Sequence, residues 1–253
     1  MTLPLETFPE ESFAKLAEVE DGHFWFEERN NLISWAMKKY APDCRSFLEV
    51  GCGTGFVLRR IAEDFPQASM TAVEYYEAAL PFARQRCPRA AISQADITNL
   101  PFDSEFDVVG CFDVLEHIPD DLAALRNLKK ALKPGGLLLV SVPQHMWLWS
   151  DLDEHSCHQR RYLKRELIEK ATANELSVVM NTSFVSLLVP LMLLRKLRTE
   201  RESAKDTHST EFEMSPLVNR ALRSVLAAEQ VAVKLGFTWP LGGSLFVGFK
   251  KPA

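Results

Sequence analysis

The eight residues at positions 48–55 constrain this chain more than any other segment. They read Leu-Glu-Val-Gly-Cys-Gly-Thr-Gly, an acidic residue near the end of a short apolar run and then three glycines at every second position. An apolar run such as 46–50 suits a buried parallel strand, and glycine lets the backbone approach a ligand closely. Apolar residues at helical spacing follow over 54–64. This order of strand, glycine turn and helix predicts a nucleotide-type cofactor.

The glycine spacing indicates which cofactor. The dinucleotide fingerprint is G-x-G-x-x-G, whereas the order here is Gly51-x-Gly53-x-Gly55, with the third glycine one residue early. With Glu49 before the turn, the segment resembles the first motif of class I S-adenosylmethionine-dependent methyltransferases. Their ligand has an amino-acid tail where NAD has a pyrophosphate. An NAD-dependent dehydrogenase remains a minor alternative, and a tight turn without a ligand is another interpretation of the loop alone.

Later segments follow the order of the same family. The run 69–74 reads as a second strand ending in Glu74, where a carboxylate can accept hydrogen bonds from both ribose hydroxyls. The run 90–95 precedes Asp96-Ile97, and the resemblance implies that Asp96 binds the adenine amino group while Ile97 packs on the ring. The runs 106–111 and 132–143, the latter beginning Leu-Lys-Pro-Gly-Gly, resemble the fourth and fifth strands.

The resemblance implies S-adenosyl-L-methionine as cofactor. The residues predicted to bind it are Glu49, Gly51, Cys52, Gly53, Gly55, Glu74, Tyr75, Asp96, Ile97 and Cys111.

The predicted fold is α/β, a doubly wound Rossmann-like sheet of seven strands, and the resemblance implies an antiparallel last strand. At 253 residues and 47% apolar composition, the chain suits one domain with insertions. We divide it into a helical N-terminal cap at 1–45, a cofactor-binding core at 46–142, and an acceptor-side lid, insertion and C-terminal strands at 143–253. Ser215 and Pro216 predict the start of a helix that Gly236 ends.

Composition limits the partners and the compartment. A net charge of −5 argues against a dominant electrostatic grip on nucleic acid. The five cysteines are scattered without a C-x-x-C pair and are predicted to be reduced thiols. The N-terminus lacks a basic segment followed by an apolar core, so we expect a cytoplasmic location, with the inner face of the membrane as a possible site.

The loop after the fifth strand is the predicted acceptor side, since ligands bind outside the carboxyl ends of parallel strands. A hydroxyl acceptor is a poor nucleophile until it loses its proton, and histidine suits general-base work near neutral pH. We predict His158 as the base, oriented by Asp153, with His117 as a second candidate. For both histidines a structural role is almost as plausible.

Three residues are predicted to contact the acceptor. Arg161 and Tyr162 would hold a polar or anionic group, and Trp149 would provide a stacking wall. A lid that simply packs on the core explains the tryptophan equally well. A metal site is a less favoured alternative to the base, in which a divalent ion is held by Asp113, Glu116 and His117 with His145, His155 or His158. No residue is assigned to a metal.

The segments on either side of the cofactor-binding core suggest a subfamily. The segments His23-Phe24-Trp25-Phe26, His158-x-Arg160-Arg161-Tyr162 and Pro240-x-Gly242-x-Ser244 resemble bacterial methyltransferases associated with surface-glycan and lipid-linked sugar pathways. We therefore expect O-methylation of a glycan or lipid-linked sugar, with a quinone-type or other small-molecule O-methyltransferase as runner-up. A protein that binds S-adenosylmethionine without catalysis is the alternative of another class.

One apolar segment raises the question of a membrane. Residues 184–194 are the most apolar stretch, too short to span a bilayer, and Arg195, Lys196 and Arg198 follow at once. A strand followed by a buried helix is the favoured interpretation, and an interfacial helix on anionic lipid is the other. The polar residues 199–213 are expected to form a mobile surface loop.

Overall fold

The computed structural model describes residues 9–199 and 214–253, and a seven-stranded sheet runs through them. The strand order is β3-β2-β1-β4-β5-β7-β6. The strands are β1 (Ser46–Val50), β2 (Ser69–Glu74), β3 (Ala91–Gln94), β4 (Phe106–Phe112), β5 (Leu132–Pro143), β6 (Ser177–Phe184) and β7 (Ser244–Lys250).

Helices surround this sheet. They are α1 (Ser12–Val19), α2 (Phe24–Tyr40), α3 (Phe56–Asp64), α4 (Leu80–Arg86), α5 (Asp121–Ala131), α6 (Asp151–His155), α7 (Lys164–Ala173), α8 (Val189–Thr199) and α9 (Pro216–Lys234). Short 3₁₀ turns lie at Leu115–His117 and Met146–Leu148. Over the described residues, none of the helices combines the length and the apolar composition needed to cross a bilayer.

Side-chain alternation divides the core into two layers. Along β1, Phe47 joins a cluster with residues of α2 and α3, while Leu48 and Val50 join one with residues of α5 and α7. Successive strand residues point to opposite faces, so a strand covered by helices on both faces is apolar throughout. The predicted doubly wound sheet is confirmed.

The strand order reverses between β1 and β4. Both strands are parallel to each other, β2 lies on the far side of β1, and β5 on the far side of β4. Connections leave such a pair in opposite directions and open a crevice at the carboxyl ends of the strands, where ligands bind in this architecture. The glycine loop leaves β1 at this point.

The last strand is antiparallel to both neighbours. β7 pairs with β5 from Leu137↔Lys250 to Pro143↔Ser244, and with β6 along its other edge. The antiparallel placement that the resemblance implied is confirmed. The helix predicted over 54–64 begins two residues later, at Phe56, because Gly55 adopts a left-handed φ of 80°.

The N-terminal helices are part of the main core. Leu32 and Ile33 of α2 are buried against the sheet, and α9 packs along α2. Asn219 accepts a hydrogen bond from the Phe24 amide at 2.8 Å, and the Gln230 side chain donates to the Glu28 carbonyl at 2.6 Å. Ser215 caps α9 through the Val218 amide, as predicted.

One apolar expectation is wrong in detail. The helix after β6 is not buried, since Leu191, Leu194 and Leu197 of α8 are each about half exposed. Residues 200–213, most of the segment expected to be a mobile loop, lie outside the described residues.

Candidate active site

The three loop glycines serve different purposes. A Cβ at Gly51 would lie 2.3 Å from Val114 Cγ2, and one at Gly55 would lie 2.8 Å from Ala83 Cα, so both positions exclude side chains by packing. Gly53 has nothing within 4 Å of the position of its Cβ. All three have positive φ, between 50° and 80°. The space beside Gly53 is therefore open to a ligand.

Two buried carboxylates flank this space at the ends of β1 and β2. Glu74 Oε2 accepts from the Gly53 amide at 2.8 Å, and its Oε1 accepts from the Tyr76 amide at 3.0 Å. Burial raises the pKa of Glu74, and it raises the pKa of Glu49 to about 8 against the opposing charge of Arg29. Glu49 Oε2 has no hydrogen-bond partner in residues 9–199 and 214–253. Both carboxylates suit a ligand that brings positive charge or hydroxyl donors.

The remaining predicted cofactor residues surround the same strand ends. Asp96 is exposed and caps a turn, its Oδ1 accepting from the Thr98 amide at 2.7 Å, while Ile97 beside it is buried. Tyr75 is 57% exposed. Cys52 and Cys111 are buried, and Cys111 packs inside the sheet core. The cofactor roles of all ten residues stay predictions.

The N-terminal segment closes over the glycine loop through contacts that the sequence did not indicate. Glu20 accepts from the Thr54 hydroxyl at 2.5 Å, and Arg86 forms an ion pair with Glu20. Arg86 also donates to Thr54 Oγ1 at 2.6 Å and to the Ala17 carbonyl at 2.8 Å. These partners are up to 69 residues apart in the chain, so no local spacing could reveal them.

A second link joins α2 to the end of β4. Arg29 Nη1 donates to Asp113 Oδ2 at 2.5 Å, and its guanidinium lies 4.6 Å from the centre of the Trp25 ring. Asp113 has a left-handed φ of 55°, directly after β4. A small cavity lies here, lined among others by Trp25, Arg29, Asp113, Ser141 and Phe246. Its place between α2 and the strand ends suits the acceptor side of the crevice.

Backbone hydrogen bonds attach the loop after β5 to the 3₁₀ turn after β4. The Gln159 amide donates to the Glu116 carbonyl at 2.9 Å, and Gln159 Nε2 donates to the His117 carbonyl at 2.9 Å. The Tyr162 hydroxyl donates to the Leu115 carbonyl at 3.2 Å. These contacts bring the loop histidine beside the histidine of the turn.

A buried carboxylate holds that loop histidine. Asp153 Oδ1 lies 2.9 Å from His158 Nδ1, and Arg161 binds both oxygens of Asp153 at 2.7 Å through Nε and Nη2. Burial by itself raises the pKa of Asp153, but the hydrogen bonds from His158 and Arg161 outweigh it and hold that pKa well below its usual range. Asp153 also forms a capping box with Ser150 at the start of α6.

Glu116 and His117 complete the cluster. Glu116 is fully buried, and within the described part of the chain neither of its carboxylate oxygens has a hydrogen-bond partner. Burial together with the charge of Asp113 raises its pKa well above the usual value. Burial and the neighbouring His158 lower the pKa of His117 to about 4. His158 Nε2 lies 3.9 Å from Glu116 Oε1, and the two histidine rings lie 4.7 Å apart.

The structure thus brings together the three predicted catalytic residues, His158, Asp153 and His117. The acceptor roles predicted for Arg161 and Tyr162 stay predictions, and the polar groups of both side chains are engaged by carboxylates of the protein. Arg161 is 8% exposed with its guanidinium occupied by Asp153, and Tyr162 is fully buried with its hydroxyl donating to Asp121 at 2.7 Å. Both residues follow the exposed Gln159 and the half-buried Arg160, and the sequence alone does not show where the chain turns inward.

Trp149, the third predicted acceptor residue, is half-buried. Its indole Nε1 donates to Glu154 Oε1 at 3.4 Å. The more exposed ring of the pair is Trp147, which is 44% exposed and stacks on His145 at 5.3 Å. A stacking role for Trp149 stays a prediction, and Trp147 offers the larger free surface.

The doubly wound sheet, its antiparallel last strand and the glycine loop resemble the fold of class I S-adenosylmethionine-dependent methyltransferases, a class whose cofactor is S-adenosyl-L-methionine. Residues 48–140 match the family model described as a methyltransferase domain. The chain is 34% identical over 134 residues to a probable S-adenosylmethionine-dependent methyltransferase of Mycobacterium tuberculosis, covering 52% of this chain and 47% of that one. The chain thus spans about half the length of the first curated relatives it matches.

A second relative has a named activity. The ubiquinone biosynthesis O-methyltransferase of Pseudomonas aeruginosa is 28% identical over 145 residues, which is 51% of this chain and 62% of that protein.

Solved structures agree on the fold. A putative methyltransferase in complex with the Trm112 activator of Haloferax volcanii has a TM-score of 0.63 at 18% identity, covering 96% of this chain and 97% of that one. A phosphoethanolamine N-methyltransferase of Haemonchus contortus with bound S-adenosylmethionine has a TM-score of 0.59 at 19% identity. The match covers 87% of this chain and 52% of that one. A [4+2]-cyclase has a TM-score of 0.58 at 20% identity, and the match covers 87% of this chain and 81% of that one. The fold alone therefore does not define the reaction.

Proposed function

We propose that this chain transfers the methyl group of S-adenosylmethionine to a hydroxyl oxygen of a membrane-borne acceptor, a lipid-linked sugar or related glycan. The observation that carries the proposal is the His158–Asp153 pair beside Glu116 and His117, at the carboxyl end of β4. A hydroxyl needs this polar cluster, because its proton must leave before or as the oxygen attacks.

Methyl transfer depends first on the orientation of the acceptor oxygen relative to the methyl group. The acceptor oxygen forms a bond to the methyl carbon, the bond from that carbon to sulfur breaks, and S-adenosylhomocysteine leaves as a neutral thioether while the hydroxyl proton passes to the cluster. In-line placement of oxygen and methyl supplies much of the rate. Asp153 orients His158 by accepting from Nδ1, which directs Nε2 toward Glu116 and the crevice.

An exposed apolar surface beside this site supports a membrane-borne acceptor. We call it the α8 surface, and it comprises Met146, Trp147, Leu187, Leu191, Leu194 and Leu197, each 44–55% exposed. Lys196 Nζ donates to the Trp147 carbonyl at 2.9 Å, which fixes α8 against the loop after β5. An apolar face with basic residues suits the surface of an anionic membrane. An acceptor anchored in lipid would then meet the site from this side.

A quinone-type acceptor is the second candidate. Its specific support is the similarity to a ubiquinone biosynthesis O-methyltransferase, whose printed activity is also O-methylation. The α8 surface suits a prenylated quinone as well as a lipid-linked sugar, because both carry an apolar tail.

The test is transfer of a labelled methyl group from S-adenosylmethionine into a detergent-treated lysate of the source cells, followed by partition between organic and aqueous phases. We expect label in the organic phase, and mild acid hydrolysis separates the two candidates, since it releases a water-soluble methylated sugar only from a lipid-linked sugar. Label confined to the aqueous phase contradicts a membrane-borne acceptor.

The variant His158→Ala addresses the proposed site. We expect it to bind S-adenosylhomocysteine with wild-type affinity and to lose transfer, because only the proton-handling group is removed. His155→Ala, on the exposed end of α6, is the matched control and retains transfer. Full transfer by His158→Ala removes His158 from the mechanism, and no transfer by the wild type to any fraction favours a non-catalytic binding protein.

A further inference from the structure

We infer that Glu116, His117 and His158 bind a divalent cation, and that this cation rather than an imidazole alone activates the acceptor hydroxyl. The three residues each offer one ligand atom, and these atoms lie within 4.8 Å of one another. The inference rests on the proposed function for the role of the ion, although not for its binding.

The first argument is the state of Glu116. Its side chain has no exposure to solvent, and both of its oxygens lack a hydrogen-bond donor among the described residues, although a buried carboxylate without a partner is among the most costly groups in a protein. Arg29, whose charge acts on Glu116, is committed to Asp113 at 2.5 Å. A bound cation would supply the missing partner for the Glu116 oxygens.

The second argument is the orientation of His158. Its Nδ1 lies 2.9 Å from Asp153 Oδ1, so Nδ1 carries the proton and the lone pair of Nε2 points toward Glu116 Oε1, 3.9 Å away. Two lone-pair groups thus face each other. A carboxylate that accepts from the far nitrogen of a histidine is the usual support of a metal-bound imidazole, because it fixes the tautomer and the ring orientation.

Asp153 is itself held in place. Arg161 binds both of its oxygens at 2.7 Å, and the Ser150 amide donates to Oδ2 at 2.9 Å. This chain of contacts, from Arg161 through Asp153 to His158, makes the imidazole a rigid ligand. It also gives Arg161 a role other than the one its sequence position suggested.

Binding requires the cluster to contract. Ligand atoms about 2.1 Å from an ion stand roughly 3.0–3.5 Å apart in tetrahedral or octahedral coordination. The three ligand atoms lie within 4.8 Å of one another, and His158 Nε2 and Glu116 Oε1 are 3.9 Å apart. Glu116 and His117 lie on one 3₁₀ turn, and the Gln159 amide next to His158 donates to the Glu116 carbonyl, so the backbone already links the three ligands.

Two imidazoles and one carboxylate indicate the kind of ion. This donor set favours a borderline first-row cation such as Mn²⁺ or Zn²⁺ over Mg²⁺, which prefers oxygen ligands. Three protein ligands leave coordination positions for the acceptor oxygen, and a bound cation lowers the pKa of a hydroxyl held there. Because His158 Nε2 then binds the cation, the hydroxyl proton leaves to water instead of to His158 while the oxygen takes the methyl group.

The other candidate ligands considered from the sequence do not join the cluster. Asp113 is occupied by Arg29, His145 stacks on Trp147, and His155 lies on the exposed end of α6. The set is thus limited to Glu116, His117 and His158 among the described residues.

The test is direct binding of Mn²⁺ to protein that has been stripped with a chelator, followed by electron paramagnetic resonance, with Zn²⁺ added as a competitor. We expect a single equivalent of Mn²⁺ that Zn²⁺ displaces. The variants Glu116→Gln and His158→Asn should bind Mn²⁺ at least roughly tenfold more weakly, with S-adenosylhomocysteine affinity and thermal stability showing that both remain folded. His155→Ala is the control and should bind Mn²⁺ as the wild type does.

The outcomes distinguish this inference from the proposed function. No Mn²⁺ or Zn²⁺ binding by the wild type, or equal binding by Glu116→Gln, overturns the metal site, even where methyl transfer is observed and continues in the chelator. Binding that depends on Glu116 and His158 supports the site even where no acceptor is found. If methyl transfer stops in the chelator and returns when Mn²⁺ is added, the metal site and the proposed function are linked.

Discussion

Gly53 differs from Gly51 and Gly55 because a Cβ at this position would meet no described atom within 4 Å. Gly51 and Gly55 are required by contacts with Val114 and Ala83, so substitution there damages packing as well as binding. Gly53 is the position at which a side chain intrudes only on the ligand. It therefore separates cofactor binding from folding.

We predict that Gly53→Arg abolishes binding of S-adenosylhomocysteine, measured by calorimetry, because the side chain fills the space beside Glu74. Gly135→Arg is the matched control, since Gly135 also has a positive φ, at 70°, and nothing within 4 Å of its Cβ position, but lies at the opposite end of the sheet. Both variants carry similar backbone strain. Unchanged affinity in Gly53→Arg would contradict the placement of the cofactor.

At the scale of elements, α6 is a helix of five residues that tertiary contacts stabilise. A helix this short is not stable alone, and its capping box and the Asp153 ion pairs anchor it to the loop after β5. The order of this loop decides where His158 lies. The stability of this loop and the geometry of the site are therefore coupled through the Asp153 carboxylate.

We predict that Asp153→Asn lowers the free energy of unfolding by about 3–5 kcal/mol, because it leaves the Arg161 charge buried without its partner. Methyl transfer should fall as well, since His158 loses its orienting acceptor. Urea unfolding and the transfer assay measure the two effects. Asp151→Asn, on the exposed face of the same helix, should change the free energy of unfolding by less than about 0.5 kcal/mol. Equal stability of the two variants would count against the proposed anchor.

At the scale of the whole molecule, buried acidic groups gather where the crevice opens. Burial raises the pKa values of Glu49, Glu74 and Glu116, so the folded protein binds protons there that the unfolded chain releases. The sign of the effect follows from linkage. The stability that such a group contributes is complete below its pKa in the unfolded chain. It declines as pH rises toward its pKa in the folded protein.

For Glu49 the pKa rises from 4.5 to about 8, so its contribution declines between those values. We predict that Glu49→Gln gains stability relative to the wild type by roughly 3 kcal/mol between about pH 5 and about pH 8, since the amide does not titrate. Urea unfolding of the cofactor-free protein measures the difference. Glu63→Gln, at an exposed position of α3, is the control and should show no such gain. If the difference in free energy of unfolding between Glu49→Gln and the wild type stays constant with pH, Glu49 is charged across this whole pH range.

Much of the fold could be predicted because it depends on local patterns. The bounds of β1 and β2 match the apolar runs, and Ser215 with Pro216 marks the start of α9. The exposed α8 was not predicted, because an apolar pattern shows which face of a helix is apolar but not what covers it. Asp153 was predicted to orient His158, and the structure places Asp153 Oδ1 2.9 Å from His158 Nδ1.

The sequence by itself determined the class of fold and the place of the glycine loop, since glycine spacing and a carboxylate at a strand end act within a few residues of each other. The tertiary structure decided the acceptor end, where Glu116 and His158 meet across 42 residues and Arg161 turns inward to Asp153. Glycine loops are selected by local backbone geometry. A cluster of buried polar groups depends on which segments the sheet brings together, and no single segment carries that information.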